Sequence, residues 1–221
     1  MPKPREVMGK KVRERYGRFT GTVVAYESNP LGEVTSIVYE SSGMLIRTDS
    51  NSFHLDGGEI EIAPSSIIEF KSVYEELSNL LIRIEALNKL KSNQLISEES
   101  YKKVSGELDS IYKALEEKSA SIISKLSDRE GKLLRRKEWM YNLFMNLEIS
   151  RRMDWISDEE YIKAYEYLEK EFFRTTSEID DVKRAKIDLE STLEMLRKTV
   201  SRVEVEEHRR EEPGKIQATP T

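Results

Sequence analysis

The chain has 221 residues, 36 Lys and Arg against 41 Asp and Glu for a net charge of -5, a hydrophobic content of 38% and no Cys. Without Cys it has no thiol nucleophile, no Cys metal cluster and no disulfide framework, which excludes the stapled secreted class. The high charge and modest apolar content suit long solvated helices better than one compact core. No N-terminal apolar h-region and no apolar run of about 18 residues is present, so the expected setting is cytoplasmic.

In chain order, residues 1–7 read as a basic arm. The first 20 residues hold seven cations, Lys3, Arg5, Lys10, Lys11, Arg13, Arg15 and Arg18, against Glu6 and Glu14 alone. Such a cluster suits an anionic surface, lipid headgroup or DNA phosphate, to which each cation contributes on the order of 1 kcal/mol. A basic stretch that only aids solubility has the same composition. The absence of aromatic interleaving or a base-reading motif favours a membrane surface among the targets.

Residues 8–70 read as a small β domain. Seven of the ten Gly lie at or before Gly58. Turn signals at Tyr16-Gly17, Asn29-Pro30-Leu31-Gly32, Ser42-Gly43 and Asp56-Gly57-Gly58 punctuate β-rich runs at Phe19 to Tyr26, Gly32 to Tyr39, Met44 to Arg47 and Glu59 to Ile62. Val34, Ser36 and Val38 alternate with Thr35, Ile37 and Tyr39, so that strand expects cover on both faces, as in a curled sheet or barrel. A head this small buries little of its own surface, and is expected to lean on a helix or a partner.

Residues 71–205 read as helical, with no Pro between Pro64 and Pro213. From Tyr161 the positions Tyr161, Tyr165, Leu168, Phe172, Thr175, Ile179, Val182, Lys186, Leu189, Leu193, Leu196, Val200 and Val203 follow in steps of four and three. Eleven of the thirteen are apolar or aromatic, which is the seam of a left-handed coiled coil about 60 Å long at about 1.5 Å per residue. Its partner is another helix, from this chain or from a second copy in a homodimer or filament. Thr175 and Lys186 interrupt the seam, either as register devices or as tolerated polar residues. Similar spacing at Val73, Leu77, Leu80, Ile84 and Leu87, and at Tyr101, Val104, Leu108, Ile111 and Leu115, predicts earlier helices with seams of their own.

A repeat offset by sixty residues pairs Ile96-Ser97-Glu98-Glu99-Ser100-Tyr101 with Ile156-Ser157-Asp158-Glu159-Glu160-Tyr161. Each Ser is placed to cap a helix whose first turn is acidic, which predicts two related helical hairpins or, more simply, one cap motif used twice. The most apolar stretch, Trp139 to Leu147, reads as core at a helix junction ahead of a membrane-inserting segment. His54 reads as structural and His208 as solvated.

No phosphate-binding loop, zinc-protease helix or nucleophile elbow occurs, and the carboxylates stand beside Lys and Arg as on solvated helix faces. The expectation is a non-enzymatic chain without a cofactor. Residues 206–221 read as a disordered tail. Val203 and Val205 alternate as a strand would, and Lys215, Ile216 and Ala218 follow the Pro213-Gly214 break, so that a solvated end and a strand-adding partner motif both fit.

The run Gly9-x-x-Val12-x-x-x-x-Gly17-x-x-x-Gly21-x-Val23, followed by Asn29-Pro30-Leu31-Gly32-Glu33-Val34, resembles the opening of a PRC-barrel domain. A PRC-barrel-like head joined to a long coiled coil resembles the CdvA family of archaeal cell-division proteins. That resemblance implies an α+β chain, a small N-terminal β-barrel followed by long coiled-coil helices. It also implies a filament-forming scaffold at the mid-cell division site, associated with membrane and, in some accounts of the family, with DNA. An ESCRT-III homologue would be recruited through the segment after the coil, here Val203, Val205, Lys215, Ile216 and Ala218. The alternative is a PRC-barrel nucleic-acid-binding adaptor.

Overall fold

The computed structural model describes the backbone of residues 2–211 and the side chains of residues 2–200. Its head is one six-stranded sheet built from β1 (Lys11–Glu14), β2 (Thr20–Ser28), β3 (Val34–Ser41), β4 (Met44–Asp49), β5 (Phe53–Asp56) and β6 (Glu59–Ile62), in the order β4-β3-β2-β1-β6-β5. Only β1 and β6 pair in parallel, with Val12 opposite Ile60. The edge strands β4 and β5 are joined by a single 3-10 turn, Ser50–Ser52. So short a link forces the sheet to curl until its two edges approach each other, the barrel-like shape that β3 anticipates. β3 is indeed covered on both sides, with Val34, Ser36, Ile37, Tyr39 and Ser41 all buried.

The four expected strands are present, and two more, β1 and β5, escape the sequence reading because their four residues alternate charge with one or two apolar positions. Val7, Val12, Val23, Val34, Ile37, Tyr39, Phe53, Ile60 and Ile62 form the core of the head. Val7 belongs to a one-turn helix, α1 (Pro4–Val7), and Val34 N donates to Pro2 O at 3.0 Å. The basic arm is thereby folded onto the head. Gly21 is required by close approach, because a Cβ there would lie 2.3 Å from the Glu40 carbonyl oxygen on β3. Gly17, at φ +73°, turns the chain between β1 and β2.

Three long helices follow, α2 (Ser65–Ser92), α3 (Glu98–Arg152) and α4 (Asp158–Glu211). α2 starts earlier than the expected boundary, directly after Pro64, whose carbonyl accepts from Ile67 N and Ile68 N. The two turns between the helices confirm the sixty-residue repeat as two hairpins of matching geometry. Gln94 and Asp154 both take the left-handed conformation, at φ +59° and +53°. Ser97 Oγ accepts from Ser100 N, and Ser157 Oγ from Glu160 N, each at 3.2 Å. Tyr101 Oη donates back to Asn88 Oδ1 at 3.2 Å, and Tyr161 Oη to Glu148 Oε2 at 3.1 Å. The Lys91 ammonium stands over the Tyr101 ring as the Arg151 guanidinium stands over that of Tyr161.

The chain divides into two compact units. The first combines the head up to Lys71 with Ile122–Lys186, and the second combines Ser72–Ser121 with the part of α4 from Ile187 onward. In the second unit Val73, Leu77, Leu80, Ile84 and Leu87 of α2 are buried, as expected, together with Tyr101, Leu108, Tyr112 and Leu115 of α3 and Leu189, Leu193 and Leu196 of α4. Ile111, expected in the α3 seam, is exposed, and Tyr112 takes its place. The buried stripe of α3 continues through Tyr112, Leu115, Ser119 and Ile122, and steps of three and four starting from Leu108 can begin with either residue. The larger Tyr112 ring buries its apolar body while its hydroxyl reaches Glu116 at 3.2 Å.

Candidate functional surfaces

The seven N-terminal cations separate into two groups. Lys3, Arg5 and Lys11 are exposed and Lys10 half-buried, and no ion pair involves any of them among the described residues. Arg13, Arg15 and Arg18 are instead bound into the protein. β1 and the turn after it carry them, and strand alternation sends Val12 and Glu14 inward between them. Arg13 pairs with Asp56 at 2.6 Å and Glu61 at 3.4 Å. Arg15 donates from Nε to Asp181 of α4 at 2.8 Å and from Nη1 to Glu61 at 2.9 Å. Arg18 reaches three carboxylates, Glu178 at 2.7 Å, Glu14 at 2.9 Å and Glu171 at 3.2 Å.

Within this first unit the head is therefore fastened to α4 by charge. Glu178 is fully buried and is held from the other side by Arg129 of α3. Glu171 also accepts from Arg136 of α3 at 2.9 Å, and Arg174 donates to the Gly17 carbonyl. Burial alone would draw the Arg15 and Arg18 guanidiniums down, but their hydrogen bonds to Asp181 and Glu178 outweigh it and hold both above the ordinary arginine range. Burial first, and then the Asp181 and Glu178 carboxylates, push the Tyr16 phenol up. No motif marks Glu178 in the sequence. Its spacing did carry a signal, since it stands three residues after Thr175 and four before Val182, on the edge of the seam.

The α4 seam finds its partner inside the chain. In the first unit Phe172 packs edge-on against Tyr141 and Phe144 of α3, with ring centroids 5.1 and 6.0 Å apart, and Tyr165 against Phe144 at 5.3 Å. Ile179 and Val182 are buried, and Tyr161, Leu168 and Phe172 are partly covered. The ion pairs Arg151–Asp158, Arg136–Glu171 and Glu130–Lys186 descend α3 as they climb α4, which is antiparallel packing. Lys186 thus pairs across the seam at 3.0 Å and helps set its register, while Thr175 is buried with its hydroxyl unbonded among the described residues. Leu189, Leu193 and Leu196 continue the stripe in the second unit, Val200 is partly covered, and Arg197 there pairs with Glu116 of α3 at 2.6 Å.

The junction-core reading of Trp139 to Leu147 holds for half of that stretch. Met140 is buried and Leu143, Phe144 and Leu147 are partly covered, but Trp139, Tyr141 and Met145 are each more than half exposed. A two-helix hairpin covers one stripe of each helix; Trp139 and Met145 lie off it, and Tyr141 lies at its border, with its ring against Phe172 and the rest exposed. His54 is half-buried beside Lys71, whose ammonium is 3.2 Å from Nε2, and its imidazole is held below its usual range, chiefly by burial and then by Lys71. Val203 and Val205 lie on the α4 backbone and their side chains are outside those described, while Lys215, Ile216 and Ala218 lie outside the described residues altogether, as does most of the expected tail. No described helix is long and apolar enough to cross a membrane.

Against known proteins, residues 68–213 match the family described as the CdvA-like coiled-coil domain. The chain belongs to the CdvA family. The match covers α3, α4 and all but the first three residues of α2, and the head lies before it. A curated relative of this CdvA-family chain, Cell division protein A of Sulfolobus acidocaldarius, is 24% identical over 177 residues, covering 80% of this chain and 74% of the relative. No solved structure matches.

Proposed function

We propose that this chain is a non-enzymatic, self-assembling scaffold of archaeal cell division. In this reading it associates with the cytoplasmic face of the membrane at mid-cell and recruits an ESCRT-III homologue through the segment after its coil. The observation that carries the reading is the CdvA-like match over the helical body, supported by a relative whose name is that of a cell-division protein. The geometry refines the anionic contact. Arg15 and Arg18 are paired with carboxylates of α4 that are partly or fully buried, and Arg13 is paired at the surface with Asp56, which supports assigning the contact to Lys3, Arg5, Lys10 and Lys11 on one short segment of the head.

Flotation of the full-length protein with vesicles containing anionic lipid tests this assignment. Charge reversal of Lys3, Arg5, Lys10 and Lys11 is expected to abolish flotation, and removal of residues 206–221 is expected to leave it intact while ending recruitment of the ESCRT-III subunit. Loss of flotation on removing the tail, with recruitment spared, would reverse the division of labour. Binding to DNA with a steep salt dependence, and none to vesicles, would identify phosphate of nucleic acid as the target.

A further inference from the structure

The hairpin formed by α3 and α4 in the first unit has one face occupied and one bare. The seam residues of α4 include Phe172, Ile179 and Val182, and the residue preceding each, Glu171, Glu178 and Asp181, is the one gripped by Arg18 or Arg15 of the head. The residues that follow seam positions emerge on the opposite side. On α4 these are Ile162 and Phe173, 54% and 62% exposed, directly after Tyr161 and Phe172. On α3 they are Leu134, Tyr141 and Met145, 45%, 56% and 55% exposed, directly after Leu133, Met140 and Phe144, with Ile149 one turn further on. Both helices are right-handed and run antiparallel, so a one-residue advance from the seam rotates both toward the same side of the hairpin. The six side chains therefore lie on one face away from the head, an apolar row that Glu166 and Glu169 interrupt on α4.

We propose that this row is where a second copy of the chain docks, face to face, about a two-fold axis along the hairpin. Charge complementarity selects that occupant. Residues 132–152 of α3 hold six Lys or Arg against two Glu, a net of +4, and residues 158–173 of α4 hold six Asp or Glu against two Lys, a net of -4. The axis lays α3 of each copy antiparallel over α4 of the other, so the basic arm of one faces the acidic arm of its partner twice, in a self-complementary contact. Some of these charges already pair within the hairpin, but Arg135 on α3 and Glu166 and Glu169 on α4 form no ion pair among the described residues. A bilayer suits the face poorly. Glu166 and Glu169 stand between Ile162 and Phe173 and would enter lipid uncompensated, and the hairpin's two arms cancel to no net attraction for anionic headgroups. The proposal rests on the self-assembling reading above and names the surface that performs it, the seam itself being covered within the chain.

The test uses full-length protein and sedimentation velocity over a range of concentrations. The pair Met145→Glu with Phe173→Glu is expected to weaken self-association by about tenfold or more. Tyr167→Glu, on the head side of α4 and 82% exposed, is expected to leave it unchanged. All three sites are exposed, so thermal unfolding of the variants checks that the fold survives. Because the chain has no Cys, mixing a Met145→Cys protein with an Ile162→Cys protein under oxidation should yield a disulfide dimer more readily than either alone. Self-association that persists in the double variant, or that Tyr167→Glu disrupts equally, overturns this surface while leaving assembly by another. A wild-type chain that stays monomeric at every concentration overturns both the surface and the assembly reading. Intact self-association with loss of vesicle flotation in the double variant would make the row a lipid surface and overturn docking.

Discussion

Glu178 is the residue on which the head and helices of the first unit converge, since its carboxylate is fully buried between Arg18 of the head and Arg129 of α3. An ion pair taken out of water adds little net stability, but removing one member strands the others. Glu178→Ala should cost about 3–5 kcal/mol in urea denaturation, and combining it with Arg18→Ala should cost less than the sum of the two single changes. His54 offers a pH test. Its folded imidazole is depressed by burial and Lys71, so the unfolded chain takes up the proton first. Its contribution is therefore present above the unfolded value of about 6.5 and is lost as pH falls through that value toward the lower folded one. Wild-type stability should drop between neutral and mildly acidic pH by more than that of His54→Gln, as read from urea midpoints.

Among the elements, the two hairpin turns make the same local argument twice. A left-handed residue ends one helix, a Ser hydroxyl starts the next, and a Tyr hydroxyl ties the second helix back to the first. Ser97→Ala and Ser157→Ala should each cost about 1 kcal/mol, a shift checked by thermal unfolding, and should add when combined because the turns share no partner. The strands behave differently. β2, β3, β4 and β6 were legible from alternation and turn residues, but β1 and β5 are held by their neighbours, with Val12 opposite Ile60 and Phe53 opposite Ile62, and a four-residue strand has little local pattern to show.

For the molecule as a whole, the consequence is a separation between cations that build the structure and cations that remain available. Reversing Arg15 and Arg18 should lower the melting temperature sharply, because each contacts carboxylates on the head and on α4 at once. Reversing Lys3, Arg5, Lys10 and Lys11 should leave the melting temperature nearly unchanged, and the two sets compared by calorimetry check the division. In the sequence all seven look alike, since formal charge does not reveal which carboxylate a folded chain will bring alongside.

What the sequence determined by itself was periodic or local. The four-three stripe from Tyr161, the Ser caps sixty residues apart, the glycine turns of the head and the α+β division all follow from the spacing of neighbours along the chain. Only the tertiary structure decided that the α4 seam closes on α3 of the same chain, that Tyr112 displaces Ile111, that Arg13, Arg15 and Arg18 pair with carboxylates of the same chain, and that Trp139 and Met145 stay bare. Each of these depends on which side of a helix or strand meets residues tens or hundreds of positions away, and a pattern read along one element constrains its own buried face but not the identity of what covers it.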